Sequence, residues 1–162
     1  MTNHLEATLK EASIAYPTLP IMPSPYQEWL EEAELGLLAL DDCRIECDNM
    51  TWVISYLFNR IKLPHKCMSG HLMLSNRKKY VTPHYWIQLP SGYVVDLRLR
   101  MWFGDDEAIP HGIFQPGMHP RFIYSGKEVE PYKLTASLAS ILTDGLISNV
   151  RLPSKPSRPL CT

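Results

Sequence analysis

Apolar residues in segment 26–40 return at helical spacing. Trp29, Leu30, Ala33, Leu37 and Leu40 mark one face, which predicts an amphipathic helix packed on a core. From Asp48 to Ile61 the apolar positions cover more of the circumference. Trp52, Tyr56 and Asn59 fall on one side, with Val53, Leu57 and Ile61 beside Ile54 and Phe58. A helix apolar over so much of its surface belongs in the middle of a domain. Asp48 and Asn49 suit its N-terminal cap, and Pro64 ends it. A shorter helical pattern, Leu5, Leu9 and Ile14, precedes both over 2–15, and prolines 17, 20, 23 and 25 break regular structure after it. Beyond Pro64 the chain reads as strands. Lys66–Leu74 is followed by a charged turn at Asn76–Lys79, then by Tyr80–Leu89 with an interruption at Pro83. A turn at Pro90-Ser-Gly92 leads into Tyr93–Leu99. An antiparallel meander after a buried helix gives an α+β fold. Residues 104–120 read as a long loop. Arg121–Tyr124 and Glu128–Glu130 read as a strand pair turning at Ser125-Gly126, and Leu134, Leu138, Ile141 and Leu142 mark a final helix over 133–146.

Composition narrows the picture. The 162 residues suffice for one domain with a core, expected over 1–152, with a proline-rich tail expected to be disordered over 153–162. Apolar content of 45% excludes a disordered chain, and a net charge of −1 offers no global attraction to nucleic acid or to an acidic membrane surface. No apolar run approaches a membrane span, and the N-terminus lacks the basic-then-apolar pattern of a signal peptide, so a cytoplasmic protein is expected. The cysteines at 43, 47, 67 and 161 are then expected as reduced thiols. Cys43, Cys47, His65 and His71 do not have the spacing of two tight ligand pairs, so neither a metal nor a cofactor is expected.

Three residues carry chemistry. A free cysteine is most often a small buried hydrophobe, but Cys47 opens a helical segment, where unpaired N–H groups and a partial positive charge favour a thiolate. Strand alternation puts His84, Trp86 and Gln88 on one face and Tyr85, Ile87 and Leu89 on the other. A tight hairpin at residues 90–92, with paired positions summing to 180, sets Ile87 opposite Tyr93 and His84 opposite Asp96. A carboxylate then lies beside an imidazole, about 4.5–5.5 Å apart at Cβ. Asp96 could equally serve Arg98 or Arg100, which read as structural or surface residues. His65, His71, His111 and His119 lack a comparable setting and read as structural or exposed, the last two at the rim of the 104–120 loop.

The segment from Cys47 through Trp52, Asn59-Arg-Ile-Lys-Leu-Pro64 and Ser69-Gly70 to His71 resembles the transglutaminase-like cysteine domain. The family's His-Ala-Trp-Val-Glu run corresponds to His84-Tyr-Trp-Ile-Gln88, and its strand ending in aspartate to Tyr93-Val-Val-Asp96. The likeness covers about residues 45–100. The chain departs from the pattern at Ile45, Gln88 and Leu97. The resemblance implies a papain-like α+β core, with the helix that carries the cysteine packed on an antiparallel sheet. It implies Cys47 as nucleophile, His84 as its base and Asp96 as the group that orients His84, without cofactor or metal. The Cys47 N–H would bind the oxyanion, with Gln27 or Trp29 as candidates for a second donor. A thioester at Cys47 can be resolved by water, by an amine or by another acyl acceptor. That leaves protease, amidase, deamidase, transglutaminase and acyltransferase open, on a protein or peptide substrate. The non-enzymatic alternative is a binding module that has kept the fold.

Overall fold

The computed structural model describes residues 24–156. The helix expected over 2–15, the prolines at 17, 20 and 23, and Cys161 lie outside these residues. Pro25 does not break structure. It is the first residue of α1 (Pro25–Leu37), where a missing N–H costs nothing. Ser24 caps the helix by accepting the Gln27 N–H at 3.1 Å. Trp29, Leu30, Ala33 and Leu37 are its buried residues, and Leu40 is buried in the 3-10 turn Leu38–Leu40 that follows. The periodic stripe is thus the buried face.

Helix α2 (Cys47–Arg60) begins one residue earlier than the expected cap allows. Glu46 is its N-cap and makes no side-chain capping bond. Asp48, inside the first turn, instead accepts the Asn49 N–H at 2.6 Å. Buried residues lie on several sides of α2, from Met50 and Val53 to Thr51, Ser55 and Phe58, as its broad apolar surface requires.

The strands are β1 (Lys66–Leu74), β2 (Tyr80–Gln88), β3 (Val94–Asp96), β4 (Gly112–Phe114) and β5 (Phe122–Val129). They form one sheet in the order β4-β3-β2-β1-β5, and every neighbouring pair is antiparallel. Two short helices complete the chain, α3 (Leu99–Phe103) and α4 (Ala136–Leu142). The fold is therefore α+β with an antiparallel sheet. No helix among the described residues is long and apolar enough to cross a membrane.

Several elements differ from the sequence expectation for local reasons. Strand β2 runs through Pro83. Gly70 faces His84 while Leu72 faces Val81, so two residues of β2 stand against one of β1. Such a bulge is where a residue without an N–H fits a paired strand. The third strand ends at Asp96 rather than Leu99, because α3 starts there. The expected 104–120 loop contains β4, which completes the sheet edge beside β3. The expected hairpin at Ser125-Gly126 is one continuous strand, β5, paired along its length with β1. Gly126 lies opposite Gly70 there, and a Cβ on Gly70 would stand 2.0 Å from the Ser125 oxygen. A Cβ on Gly126 would meet the Trp86 indole at 2.7 Å. These glycines mark close approach, not a turn. The final helix is shorter than expected, at seven residues, and carries a Thr135 cap. Near the C-terminal end of the described residues the Trp29 indole N–H donates to the Ser154 carbonyl at 2.7 Å.

The sheet buries both faces. One face presents Cys67, Ile87, Leu89 and Val95 to α1 and α2. The other gathers Leu72, Trp86, Val94, Phe114 and Phe122, with Leu99 of α3. His84 and Asp96 share the strand parity of Trp86 and Val94 and so belong to this second layer.

Gly70→Ala should lower the unfolding free energy by about 1–3 kcal/mol, because the added methyl cannot fit without parting β1 from β5. Gly117→Ala, whose Cβ would point into open space, should stay within about 0.5 kcal/mol of wild type. Urea titration of both variants checks the contrast.

Candidate active site

The His84–Asp96 pair is built by a hairpin whose register differs from the expected one. Ile87 faces Val95 and Gln88 faces Val94, so paired positions sum to 182 rather than 180. The turn centres on Ser91: the Leu89 carbonyl accepts the Gly92 N–H, and the Leu89 N–H donates to the Tyr93 carbonyl. Gly92 has a φ of 86°, a left-handed value that a glycine adopts without strain. His84 is consequently not directly opposite Asp96. A shift of two residues still keeps both side chains on the same face, since the side-chain period is two. Regular β2–β3 pairing stops at Ile87–Val95, and the imidazole spans the remaining distance diagonally.

His84 Nε2 lies 2.6 Å from Asp96 Oδ2. A carboxylate only accepts, so Nε2 carries the proton and Asp96 fixes the tautomer. The same oxygen accepts the Tyr124 hydroxyl of β5 at 2.8 Å, and Oδ1 accepts the Arg98 backbone N–H at 2.9 Å. His84 and Asp96 are 0% and 3% exposed. The His84 ring stacks on Trp86, at 5.9 Å and 19° between planes, and Trp86 meets Tyr124 edge-on at 5.0 Å. Tyr124 was not among the sequence candidates. Nothing local distinguishes it from other strand tyrosines, and only the β1–β5 pairing brings it to Asp96.

The other ring nitrogen, Nδ1, is buried and has no hydrogen-bond partner. Cys47 is the other titratable group, besides Asp96, that acts on the His84 ring. It makes no aligned hydrogen bond, yet it lies close enough to add to the proton affinity of the ring. Burial is the largest influence on His84 and works against its charge. The Asp96 charge and hydrogen bond, joined by Cys47, outweigh it and raise the pKa to about 9. Burial also pushes the Tyr124 hydroxyl well above its ordinary value, reinforced by the Asp96 charge, so it remains a donor.

Cys47 is the first residue of α2, where backbone amides lack intrahelical acceptors. Its carbonyl accepts the Thr51 hydroxyl at 2.7 Å, which ties down the first turn. The approach to it is held by Arg98. This side chain is 4% exposed, forms no ion pair among the described residues, and spends its guanidinium on carbonyls. Nε donates to Ile45, Nη1 to Leu97, and Nη2 to both Leu40 and Cys43, at 2.9–3.3 Å. One residue thus anchors the 41–46 connection before Cys47 while its own amide holds Asp96. It reads as structural in the sequence, and it is.

The remaining candidates lie elsewhere. The Trp29 N–H is committed to Ser154, and the Gln27 amide donates to Glu31 at 3.0 Å while its oxygen accepts the Tyr93 hydroxyl. Among the described residues neither side chain is hydrogen-bonded to Cys47. His65 bonds Ser55 and the Leu63 carbonyl, each at 2.8 Å, and burial lowers its pKa against the pull of that carbonyl. His111 pairs with Asp41 at 2.9 Å, clamping the 104–112 stretch to the connection before Cys47. His71 stacks near Tyr80, and His119 lies edge-on to Phe114. Cys43, Cys47 and Cys67 are free thiols. Burial raises the first and the last, opposed by Arg98 at Cys43 and by a hydrogen bond to Ser55 at Cys67. Among the described residues, no group of three His, Cys, Asp or Glu side chains is arranged to hold a metal ion.

Two outcomes are expected. Arg98→Met should cost about 3 kcal/mol or more, because four carbonyls lose their donors and several are buried; Arg98→Lys should recover only part, since an ammonium lacks the planar fork. Urea unfolding measures both. His84 binds its proton more tightly folded than unfolded, so its contribution is fully present below about pH 6.5 and is lost as pH rises through about 9. The stability gap between wild type and His84→Gln should therefore shrink from pH 6 to pH 10. A gap that stays flat contradicts the raised proton affinity.

No protein-family model, no curated protein and no solved structure matches the chain.

Proposed function

We propose that this protein is a cysteine-dependent enzyme of transglutaminase-like type that cleaves or transfers an acyl group through a thioester on Cys47. The observation that carries the reading is the buried imidazole of His84. Nε2 is taken by Asp96, Nδ1 is left without a partner, and the thiol of Cys47, which begins a helix, is close enough to raise the proton affinity of the ring. That is the division of labour a nucleophile–base–orienter set requires. The Cys-bearing helix packed on an antiparallel sheet supports a papain-like core. His84 holds a proton at neutral pH, and in this reading the reacting form of the pair sets the Cys47 sulfur as nucleophile beside that imidazolium. The thiolate adds to the carbonyl carbon of an amide, and the oxygen takes up the negative charge near the Cys47 N–H. Collapse breaks the C–N bond, and Nδ1–H protonates the departing amine. His84, now neutral, removes a proton from water or from an acceptor amine as it attacks the thioester. That step regenerates the thiolate–imidazolium pair. Water gives hydrolysis or deamidation, and an amine gives crosslinking. A protein or peptide substrate in the cytoplasm, where thiols stay reduced, suits this chemistry.

A binding module that has kept the fold is the second reading. It is favoured by the burial of Cys47, which is 6% exposed, since a carbonyl needs its neighbours to move before it can be attacked.

Mass spectrometry of candidate peptides and proteins incubated with wild type and Cys47→Ala tests the first reading, because cleavage, deamidation and crosslinking change mass differently. Cys47→Ala and His84→Ala should each reduce turnover by several orders of magnitude and Asp96→Asn by less, with folding checked by circular dichroism. Substoichiometric iodoacetamide at about pH 6 should label Cys47 before Cys43 or Cys67, and His84→Ala should erase much of that preference. Peptide mapping that finds another thiol labelled first favours the binding module.

A further inference from the structure

We propose that Tyr124 is a positioning residue for the Cys47–His84 pair: its hydroxyl holds the Asp96 oxygen that His84 uses and so limits how tightly His84 keeps its proton. The inference rests on the reading of His84 as the acid and base of the site.

Asp96 Oδ2 is shared between two donors, His84 Nε2 at 2.6 Å and the Tyr124 hydroxyl at 2.8 Å. Oδ1 is held separately by the Arg98 amide. The groups facing the imidazole are few. Cys47 comes from α2, Asp96 from β3 and Tyr124 from β5, while the nearby Arg98 guanidinium is turned away to carbonyls. Bulk water does not supply a substitute for the hydrogen bond that Tyr124 donates, because Asp96 is 3% exposed.

The direction of the effect follows from electrostatics. A hydroxyl donor stabilises a carboxylate most when no cation lies beside it, which is when His84 is neutral. Removing the hydroxyl costs the neutral-imidazole state more than the imidazolium state. His84 then holds its proton more tightly and becomes a poorer acid toward a leaving group. Tyr124 thus offsets part of what Asp96 does, and keeps His84 able to give up the proton it must donate. The ring itself is fixed by Trp86 and Phe114, independently of the hydroxyl. Tyr124→Phe therefore removes the bond and retains the packing.

The test titrates His84 by NMR of protein with isotope-labelled histidine, in wild type and Tyr124→Phe. The His84 pKa should rise by about half a unit or more in the variant. Replacing Tyr124 with a fluorinated tyrosine, a stronger donor of the same shape, should move it the opposite way, and this holds even if Tyr124→Phe folds poorly. In Tyr124→Phe the alkaline limit of Cys47 carbamidomethylation that depends on charged His84 should shift upward in step. An unchanged or lowered His84 pKa in Tyr124→Phe, or no trend with phenol acidity, overturns the proposal. The titration needs no turnover. A protein whose His84 responds as described but whose Cys47 is no more reactive than Cys43 or Cys67 would refute the enzyme reading and leave the role of Tyr124 in setting the proton affinity of His84 standing.

Discussion

The candidate site depends on one buried cation. Arg98 has no carboxylate partner among the described residues, and its charge is met by carbonyl dipoles of Leu40, Cys43, Ile45 and Leu97. A guanidinium in that setting has to satisfy its donors, and these carbonyls are the partners it finds. The connection between the 3-10 turn and α2 is therefore not free to drift. Since that connection delivers Cys47 and the Arg98 amide holds Asp96, the thiol and the carboxylate share one fixed point. Packing alone would leave these two elements, 49 residues apart in sequence, to find their relation independently.

The sheet supplies the rest of the frame by burying both faces. The α1–α2 layer fixes β2 and β3 from one side through Ile87, Leu89 and Val95. The second layer stacks His84, Trp86 and Tyr124 into an aromatic block. The glycine pair Gly70 and Gly126 lets β1 and β5 approach closely, and Gly126 leaves room for the indole of Trp86. Rotation of the imidazole would break its bond to Asp96 and its stack on Trp86 together. Its orientation is thus set by the fold itself.

Burial has two consequences here that pull apart. It strengthens the His84–Asp96 interaction by excluding water, and it also restricts access to Cys47. Desolvation opposes the charged ring, yet the fixed carboxylate overcomes it. The result is an imidazole charged at neutral pH in an apolar layer, held by a carboxylate whose oxygens accept from His84, Tyr124 and the Arg98 amide. Cys43 and Cys67 show the contrast: burial without a comparable charge partner pushes a thiol toward its neutral form.

By itself the sequence determined the helical stripe from Trp29 to Leu40, the buried helix that starts at Cys47, the meander of β1 to β3, and a shared face for His84 and Asp96. These follow from periodicity and from turn chemistry, which act over a few residues. It misplaced the hairpin register by two, yet the pair survived because a two-residue slip preserves facing. Gly126 read as a turn because a glycine needed for close approach looks the same in sequence as one needed for a bend. The sequence could not show β4, the long β5, or the donors that Tyr124 and Arg98 bring to Asp96. Those depend on which strand pairs with which, and on carbonyls whose directions exist only once the chain is folded. Tertiary structure also commits the Trp29 indole N–H to the Ser154 carbonyl, a partner 125 residues away. Local pattern selects residues able to do chemistry, but long-range pairing decides which of their hydrogen bonds remain free to do it.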